Sequence, residues 1–405
     1  MRGQNKRQSG TIPMNYRHWF AESKLIPFAA LIGFLGWNGN VSTMLGLPLV
    51  AWIWRMAPSR LMAFFSLLAY YLVANRGALR GAVVFYSDPL QKPSLVACFA
   101  IWLVPGVLLA TTWAVLWGRR FMVGRLAAIL LIVSIPPIGI LGWANPLTAA
   151  GVWFPGFGWW GLIAFLSLLL LLVSTPAWQR YGIVVLTCVA VTANAIYTAP
   201  AAGKWLAIDT HFQPSKNDAG EYSRMRELLY IAEHELDQAT PGSVIVLPEA
   251  VGGNWEVNGP FWERLGKSAR DKKVTFLVGA QRAIDGSEQY VNGLYGTGFE
   301  DGMVIPGRMP VPISMWMPFS KTGATAPWQH PGITVIHGQR AAHLICYEQL
   351  LIWPVLQSMA ASPSVVIAVA NDWWATDTSI PKIQRQVVAA WSRLFAIPAV
   401  FAMNE

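Results

Sequence analysis

The sequence predicts a multi-span α-helical membrane domain followed by an α/β domain, and three observations carry that prediction. Hydrophobic residues make up 54% of the 405-residue chain and charged residues 13%, with a mean hydropathy of +0.40, which is too apolar for an ordinary soluble protein. Charge is divided unevenly: up to residue 198 there are 14 Lys and Arg against two acids, Glu22 and Asp88, and beyond it 16 against 19. After Pro200 the long apolar runs give way to short β-rich runs alternating with amphipathic stretches.

Seven apolar stretches lie at roughly 25–37, 43–56, 60–75, 95–117, 125–143, 158–173 and 181–198. Several fall short of the ~20 residues that a straight span needs. The basic residues between them set the orientation. Arg2, Lys6, Arg7, Arg17, Lys24, Arg55, Arg60, Arg119, Arg120, Arg125 and Arg180 fall on one side, while Arg76, Arg80 and Lys92 share one loop on the other. The positive-inside rule then makes 1–24 a cytoplasmic basic N-terminus, 25–198 a transmembrane domain of about seven helices, and 199–405 a domain outside. In a bacterium that is a multi-pass inner-membrane protein with a periplasmic C-terminal domain. The first 24 residues are polar and basic, so no cleavable signal peptide is expected.

The basic excess belongs to the apolar half. Topology accounts for it, and no direct nucleic-acid partner is expected. The lipid bilayer is the expected partner there. Trp52, Trp54, Trp113, Trp117, Trp143, Trp159 and Trp160 sit near run ends, as rings of an aromatic belt would. No run carries a pair of mid-span ionisable residues, which argues against a transporter.

Of the three cysteines, Cys98 and Cys188 lie in apolar runs and are expected to be small buried hydrophobes. Cys346 remains for chemistry. No disulfide framework can be drawn, and the motifs imply neither a metal nor a cofactor.

In the C-terminal half, Trp205–Asp209, Val244–Leu247, Val274–Val278, His343–Cys346, Val365–Val369 and Ala399–Ala402 read as strands. Glu221–Ala239, Phe261–Asp271, Leu350–Ala360 and Ile380–Phe395 read as helices. That rhythm predicts a layered α/β domain, whose reactive groups gather where strands end. Two strand ends stand out. Val244–Glu249 leaves the Glu249 carboxylate just beyond an apolar strand, and Leu344–Glu348 places the Cys346 thiol at a strand end with Glu348 two residues on. A cysteine nucleophile needs a nearby base, and a desolvated carboxylate of raised pKa supplies one.

Taken in order, the residues resemble the nitrilase (carbon–nitrogen hydrolase) superfamily over roughly 203–404. The resemblance rests on LPE at Glu249, LVGAQR from Leu277, YVNGLYG from Tyr290, ICYE from Ile345, AVANDWW from Ala368, a helix with Gln386 and Arg393, and PAVFAMN ending at Asn404. It implies an α-β-β-α sandwich with a Glu-Lys-Cys triad: Glu249 as general base, Cys346 as nucleophile and Glu348 as the second acid beside it. The family lysine is missing, and Arg308 in Pro306–Pro312 is aligned to it in preference to Lys321. Arginine keeps the charge that stabilises an oxyanion but cannot relay a proton. A strand-end thiol facing both a carboxylate and a guanidinium is expected to be partly ionised.

With helices ahead of the domain, the architecture resembles apolipoprotein N-acyltransferase. The closest overall resemblance is to a membrane-anchored family of plasmid conjugal transfer. Two departures from the acyltransferase separate the chain from it: Ile313–Met317 stands where the Gly-Glu pair is expected, and no closing transmembrane helix follows before Glu405. The resemblance therefore implies a membrane-anchored amidase or acyltransferase working through a Cys thioester at the periplasmic face. The alternatives are apolipoprotein N-acylation and a catalytically impaired scaffold for envelope or conjugation-apparatus proteins. Trp255, Trp316, Trp328, Trp373 and Trp374 are candidates for an acyl-binding mouth or for core packing.

Overall fold

The structure, a computed structural model, describes residues 24–87, 94–215, 217–317 and 319–405. The basic stretch 1–23, together with Asp88 and Lys92, lies outside the described residues.

Every one of the seven apolar stretches carries helix. The helices are α1 Leu25–Gly36, α2 Leu49–Met56, α3 Arg60–Ala74, α4 Arg76–Phe85, α5 Leu95–Val115, α6 Met122–Ile132, α7 Ala150–Trp153, α8 Gly158–Val173 and α9 Gln179–Ile196. Helix α4 replaces the loop expected around Arg76 and Arg80. Its small residues explain why: Gly77 packs on Thr378 and Ile380, Gly81 on the Trp374 ring, and Arg80 turns outward to Asp377 at 2.8 Å. Among the described residues α5 and α9 can cross a membrane by length and composition, and the number rises to four if each of the bent pairs, α3 with α4 (51°) and Pro146–Trp153 with α8 (119°), is one span. The remaining apolar helices are shorter, at 10–17 residues. Prolines such as Pro48 and Pro136 stand at the breaks, where a missing N–H ends a helix without loss.

Several residues depart from their expected roles. Trp54 and Trp113 are fully buried, edge to face at 6.3 Å, and the Trp54 indole donates to the Trp113 carbonyl at 2.9 Å. They form core, not a belt. Cys98 is buried as expected, but Cys188 is exposed, because only Ala190 and Ala193 of α9 face inward.

The second half comprises β1 Trp205–Ala207, α10 Asp218–Gln238, β2 Val244–Val246, α11 Trp255–Asn258, α12 Glu263–Asp271, β3 Thr275–Ala283, β4 Glu288–Gly298, β5 Val304–Pro306, β6 Thr322–Ala324, β7 Ile333–Ile336, β8 Gln339–Ile345, α13 Ile352–Ala360, β9 Val365–Asn371, α14 Ile380–Phe395 and β10 Ala399–Asn404. Helix α10 starts earlier than expected because Asn217 caps it, its Oδ1 accepting from the Gly220 N–H at 2.8 Å.

Two sheets form. One runs β1-β2-β3-β4-β5 with β6 beside β4, and the other runs β10-β9-β8-β7. Strand alternation sorts the side chains into layers. Val244 and Val246 face Ile345, Ile367 and Val369 between the sheets, while Ile245 and Leu247 turn to Leu228 of α10 and Leu265 of α12. On the second sheet, Leu344 and Ala368 turn outward into a core shared by α14 and the N-terminal helices. The result is an α-β-β-α sandwich whose α13/α14 layer is covered by the helical region. Gly151 marks the closeness of that cover, since a Cβ there would fall 1.7 Å from the Ala390 carbonyl oxygen on α14.

Candidate active site

The base and the nucleophile come from different sheets. Glu249 follows β2 in the first sheet, two residues beyond Leu247, and Cys346 follows β8 in the second. Gly279 on β3 makes room for the first, because a Cβ there would lie 2.0 Å from the Pro248 carbonyl oxygen and 2.6 Å from the Glu249 Cα. The glycine of LVGAQR is thus a close approach of two backbones. Cys346 has φ of 52° and begins the 3-10 turn Cys346–Leu350, so the chain turns sharply at the thiol. A left-handed non-glycine residue costs about 1 kcal/mol and is held by its surroundings.

Both residues line one small cavity, of about 10 Å³, together with Asn292, Gly307, Met315 and Glu348. The Glu249 carboxylate is 4% exposed and held from two sides. Its Oε1 accepts from the Asn292 amide at 2.7 Å, and its Oε2 accepts from the Asn371 N–H at 3.0 Å. Asn371 is set in turn by Asn404, whose amide donates to its Oδ1 at 2.8 Å. Burial pushes the Glu249 pKa up despite these donors and the nearby thiol, making it a stronger base than an exposed carboxylate.

Cys346 departs from expectation. Burial, then the Glu249 and Asp372 charges, push its pKa well above the ordinary thiol value. The thiol is therefore protonated at neutral pH, and its proton leaves to Glu249 as it attacks. The physical reason is the place of Arg308. Sequence reasoning brought its guanidinium to the thiol, but the structure brings it to Glu348. Arg308 is fully buried: its Nε donates to Glu348 Oε2 at 3.0 Å, Nη2 lies 2.8 Å from the same oxygen and donates to the His343 carbonyl at 2.8 Å, and Nη1 donates to the Pro354 carbonyl at 3.1 Å. The backbone N–H groups of Arg308 and Met309 donate to Glu348 Oε1. Gly307, one residue earlier, lines the cavity instead. Glu348 lines the same cavity as Cys346 and clamps the 307–309 segment to the end of β8. Lys321 is exposed.

Two site residues were missed in the sequence. Asn292 is the Asn of YVNGLYG, and Asp372 is the Asp of AVANDWW. Both stand in motifs already singled out, Asn292 directly after Val291 and Asp372 just beyond the apolar run of β9, and that placement was the available signal. Asp372 is fully buried, and burial followed by the Glu249 and Glu405 charges pushes its pKa well up, against the opposing pull of Arg385 and Gln384. The tryptophans lie off the cavity. Trp316 and Trp328 meet edge to face at 4.9 Å beside Ile140, Trp373 stacks on Phe85 at 6.2 Å, and Trp255 stacks on Tyr295 at 5.1 Å.

Comparison with known proteins agrees with the motifs. The carbon–nitrogen hydrolase family model matches residues 295–393. Over 398 residues the chain is 34% identical to the probable conjugal transfer protein TraB of Sinorhizobium fredii (strain NBRC 101917 / NGR234), covering 95% of this chain and 98% of that relative. Over 400 residues it is 34% identical to the conjugal transfer protein TraB of Agrobacterium fabrum (strain C58 / ATCC 33970), covering 94% and 92%. Among solved structures, a Nesterenkonia AN1 amidase of the nitrilase superfamily aligns over 51% of this chain and 79% of its own, at 16% identity and a TM-score of 0.36.

Proposed function

Because the chain belongs to the TraB family of conjugal transfer proteins and carries a carbon–nitrogen hydrolase domain, we propose that it is a membrane-anchored amidase or acyltransferase working through a thioester on Cys346. The observation that carries this reading is the convergence of a buried, doubly held Glu249 and a strand-end thiol on one cavity. Glu249 takes the thiol proton as sulfur attacks a carbonyl carbon. The tetrahedral intermediate collapses with loss of the C–N bond, Glu249 returns the proton to the leaving amine, and the acyl group stays on sulfur. Water, or an amine acceptor, then attacks the thioester with Glu249 again taking the proton; the C–S bond breaks, and Glu249 returns that proton to the departing sulfur. Incubating the purified full-length protein with short amides and acyl donors should add the acyl mass to the peptide bearing Cys346. No adduct with any of them, while Cys346→Ser behaves like the parent, would remove the enzymatic reading.

The membrane placement belongs to the same reading. Outward-facing apolar side chains on the N-terminal helices, among them Leu61 (69%), Leu95 (70%), Val96 (80%) and Ile196 (70%), support insertion in a bilayer. The Arg clusters support a cytoplasmic N-terminus and a periplasmic catalytic domain at the bacterial inner membrane. A reporter active only in the cytoplasm should stay silent when fused after Glu405, and a strong signal there would reverse the orientation. One observation favours a second reading, a scaffold for envelope or conjugation-apparatus proteins: among the described residues no Lys, Arg or His lines the cavity, and Arg308 is engaged with Glu348. Lipoprotein N-acylation is the weaker enzymatic alternative, since Ile313–Met317 stands where that family's motif carries a Gly-Glu pair.

A further inference from the structure

The wall of the Cys346 cavity is rich in hydrogen-bond acceptors and poor in donors. Among the described residues lining it, the polar ones are Glu249, Asn292, Thr325, Cys346 and Glu348, and none is Lys, Arg or His. Asn292 is 6% exposed, gives its amide to Glu249 at 2.7 Å, and leaves its Oδ1 buried without a partner. Among the described residues, Glu249 receives two neutral amide donors and makes no ion pair. Arg308 offsets Glu348 from the Oε2 side, but its remaining donors go to the His343 and Pro354 carbonyls, away from the cavity. A buried acceptor without a donor, and a buried carboxylate without a cation, both cost free energy unless a ligand completes them.

The shape agrees with the charge. Gly307 forms part of the wall, and a Cβ on it would point 3.8 Å from Glu348 Oε1 and 3.1 Å from the Asn292 carbonyl oxygen. At this position the wall of the acceptor cluster therefore carries no side-chain atoms. The cavity, about 10 Å³, has room for roughly one water-sized group, and an ammonium head is about that size.

The geometry points to a substrate that brings its own cation: the cavity takes a primary ammonium group, carried by the amide or acyl donor within a few bonds of its scissile carbonyl. The ammonium donates to Asn292 Oδ1 and to the carboxylates, and its charge offsets the negative charge that develops on the carbonyl oxygen during attack. The substrate class is thus an amino amide or amino-acyl compound, in preference to a neutral fatty amide. This deepens the acyl-transfer reading and rests on it, although the charge preference of the cavity can be measured without any turnover.

The test uses three methanethiosulfonates on the full-length protein: aminoethyl (cationic), methyl (neutral) and sulfonatoethyl (anionic). Rates at Cys346 are followed by peptide mass and normalised to a free thiol. An acceptor-lined cleft should favour the cationic reagent over the anionic one by about tenfold or more. Gly307→Lys should invert that order, and Glu249→Gln, which keeps the shape, should shrink it. Equal rates, or a faster anionic reagent in the parent, overturn the inference. In parallel, β-alaninamide, butyramide and succinamate are offered as acyl donors. The inference requires β-alaninamide to acylate Cys346 fastest, and butyramide in first place overturns it while leaving acyl transfer standing. If none acylates but the cationic reagent still wins, acyl transfer fails and the ammonium site stands.

Discussion

Glu249→Gln is expected to slow acylation of Cys346 by about 100- to 10,000-fold, the range that a positioned general base contributes. The substitution keeps the side chain's shape: its one remaining oxygen can still accept from the Asn371 N–H, and its new amide can donate to the unpartnered Asn292 Oδ1 once the Asn292 amide turns over, so the fold should persist. It removes the one group placed to accept the thiol proton, and that matters because the thiol's own pKa is pushed well up. The pH profile supplies the sign. Glu249 must be deprotonated to act, and burial raises its pKa, so the parent's rate should fall on the acid side at a pH above the ordinary carboxylate value of about 4.3. In the Gln variant that limb should vanish, leaving a slow rate that climbs only toward alkaline pH as thiolate forms. Single-turnover acylation followed by mass across the pH range measures both features. A variant with the parent's rate and the parent's acid limb would show that Glu249 is not the base.

Much of this site was legible because strand periodicity and motif order are local properties. An apolar strand followed by Pro-Glu, and another followed by Cys-Tyr-Glu, place reactive groups at sheet ends whatever the details of packing. What remained hidden depends on neighbours distant in sequence. β4 was not read as a strand because Glu288–Gly298 is polar at one end and glycine-rich at the other, and its place is fixed by pairing with β3 and β5. Helix α4 was read as a loop on the strength of its arginines, while its buried stripe of Gly77, Gly81 and Ala82 has meaning only against Trp374 and Ile380. Alignment to the family lysine places Arg308 at the thiol, whereas its guanidinium lies against Glu348 and Gly307 lines the cavity. Spacing between prolines cannot show where the Arg308 side chain goes, because its direction is set by the buried Glu348 carboxylate distant in sequence and by the His343 and Pro354 carbonyls.

Arg308→Met is expected to lower stability by about 3–5 kcal/mol, because removing one partner of a buried ion pair strands the other. Arg308 and Glu348 have side-chain exposures of 0% and 1%, and the guanidinium also satisfies the carbonyls of His343 and Pro354, joining the 307–309 segment, β8 and α13 at one point. Glu348→Gln should cost less, since an amide keeps an oxygen for the Arg308 and Met309 N–H groups while leaving the guanidinium unneutralised. Arg308→Lys retains the charge without the planar fork, so it should hold Glu348, lose at least one carbonyl contact, and fall between parent and Met. The double variant Arg308→Met with Glu348→Met leaves no stranded charge and should lose less than the sum of its single changes. Thermal unfolding of the detergent-solubilised full chain, followed by tryptophan fluorescence, measures all four. If Arg308 served the reaction instead, Met would leave the unfolding temperature near that of the parent and abolish acylation. The clamp predicts a lower unfolding temperature, with acylation declining only as far as the cavity wall at Gly307 loses its place.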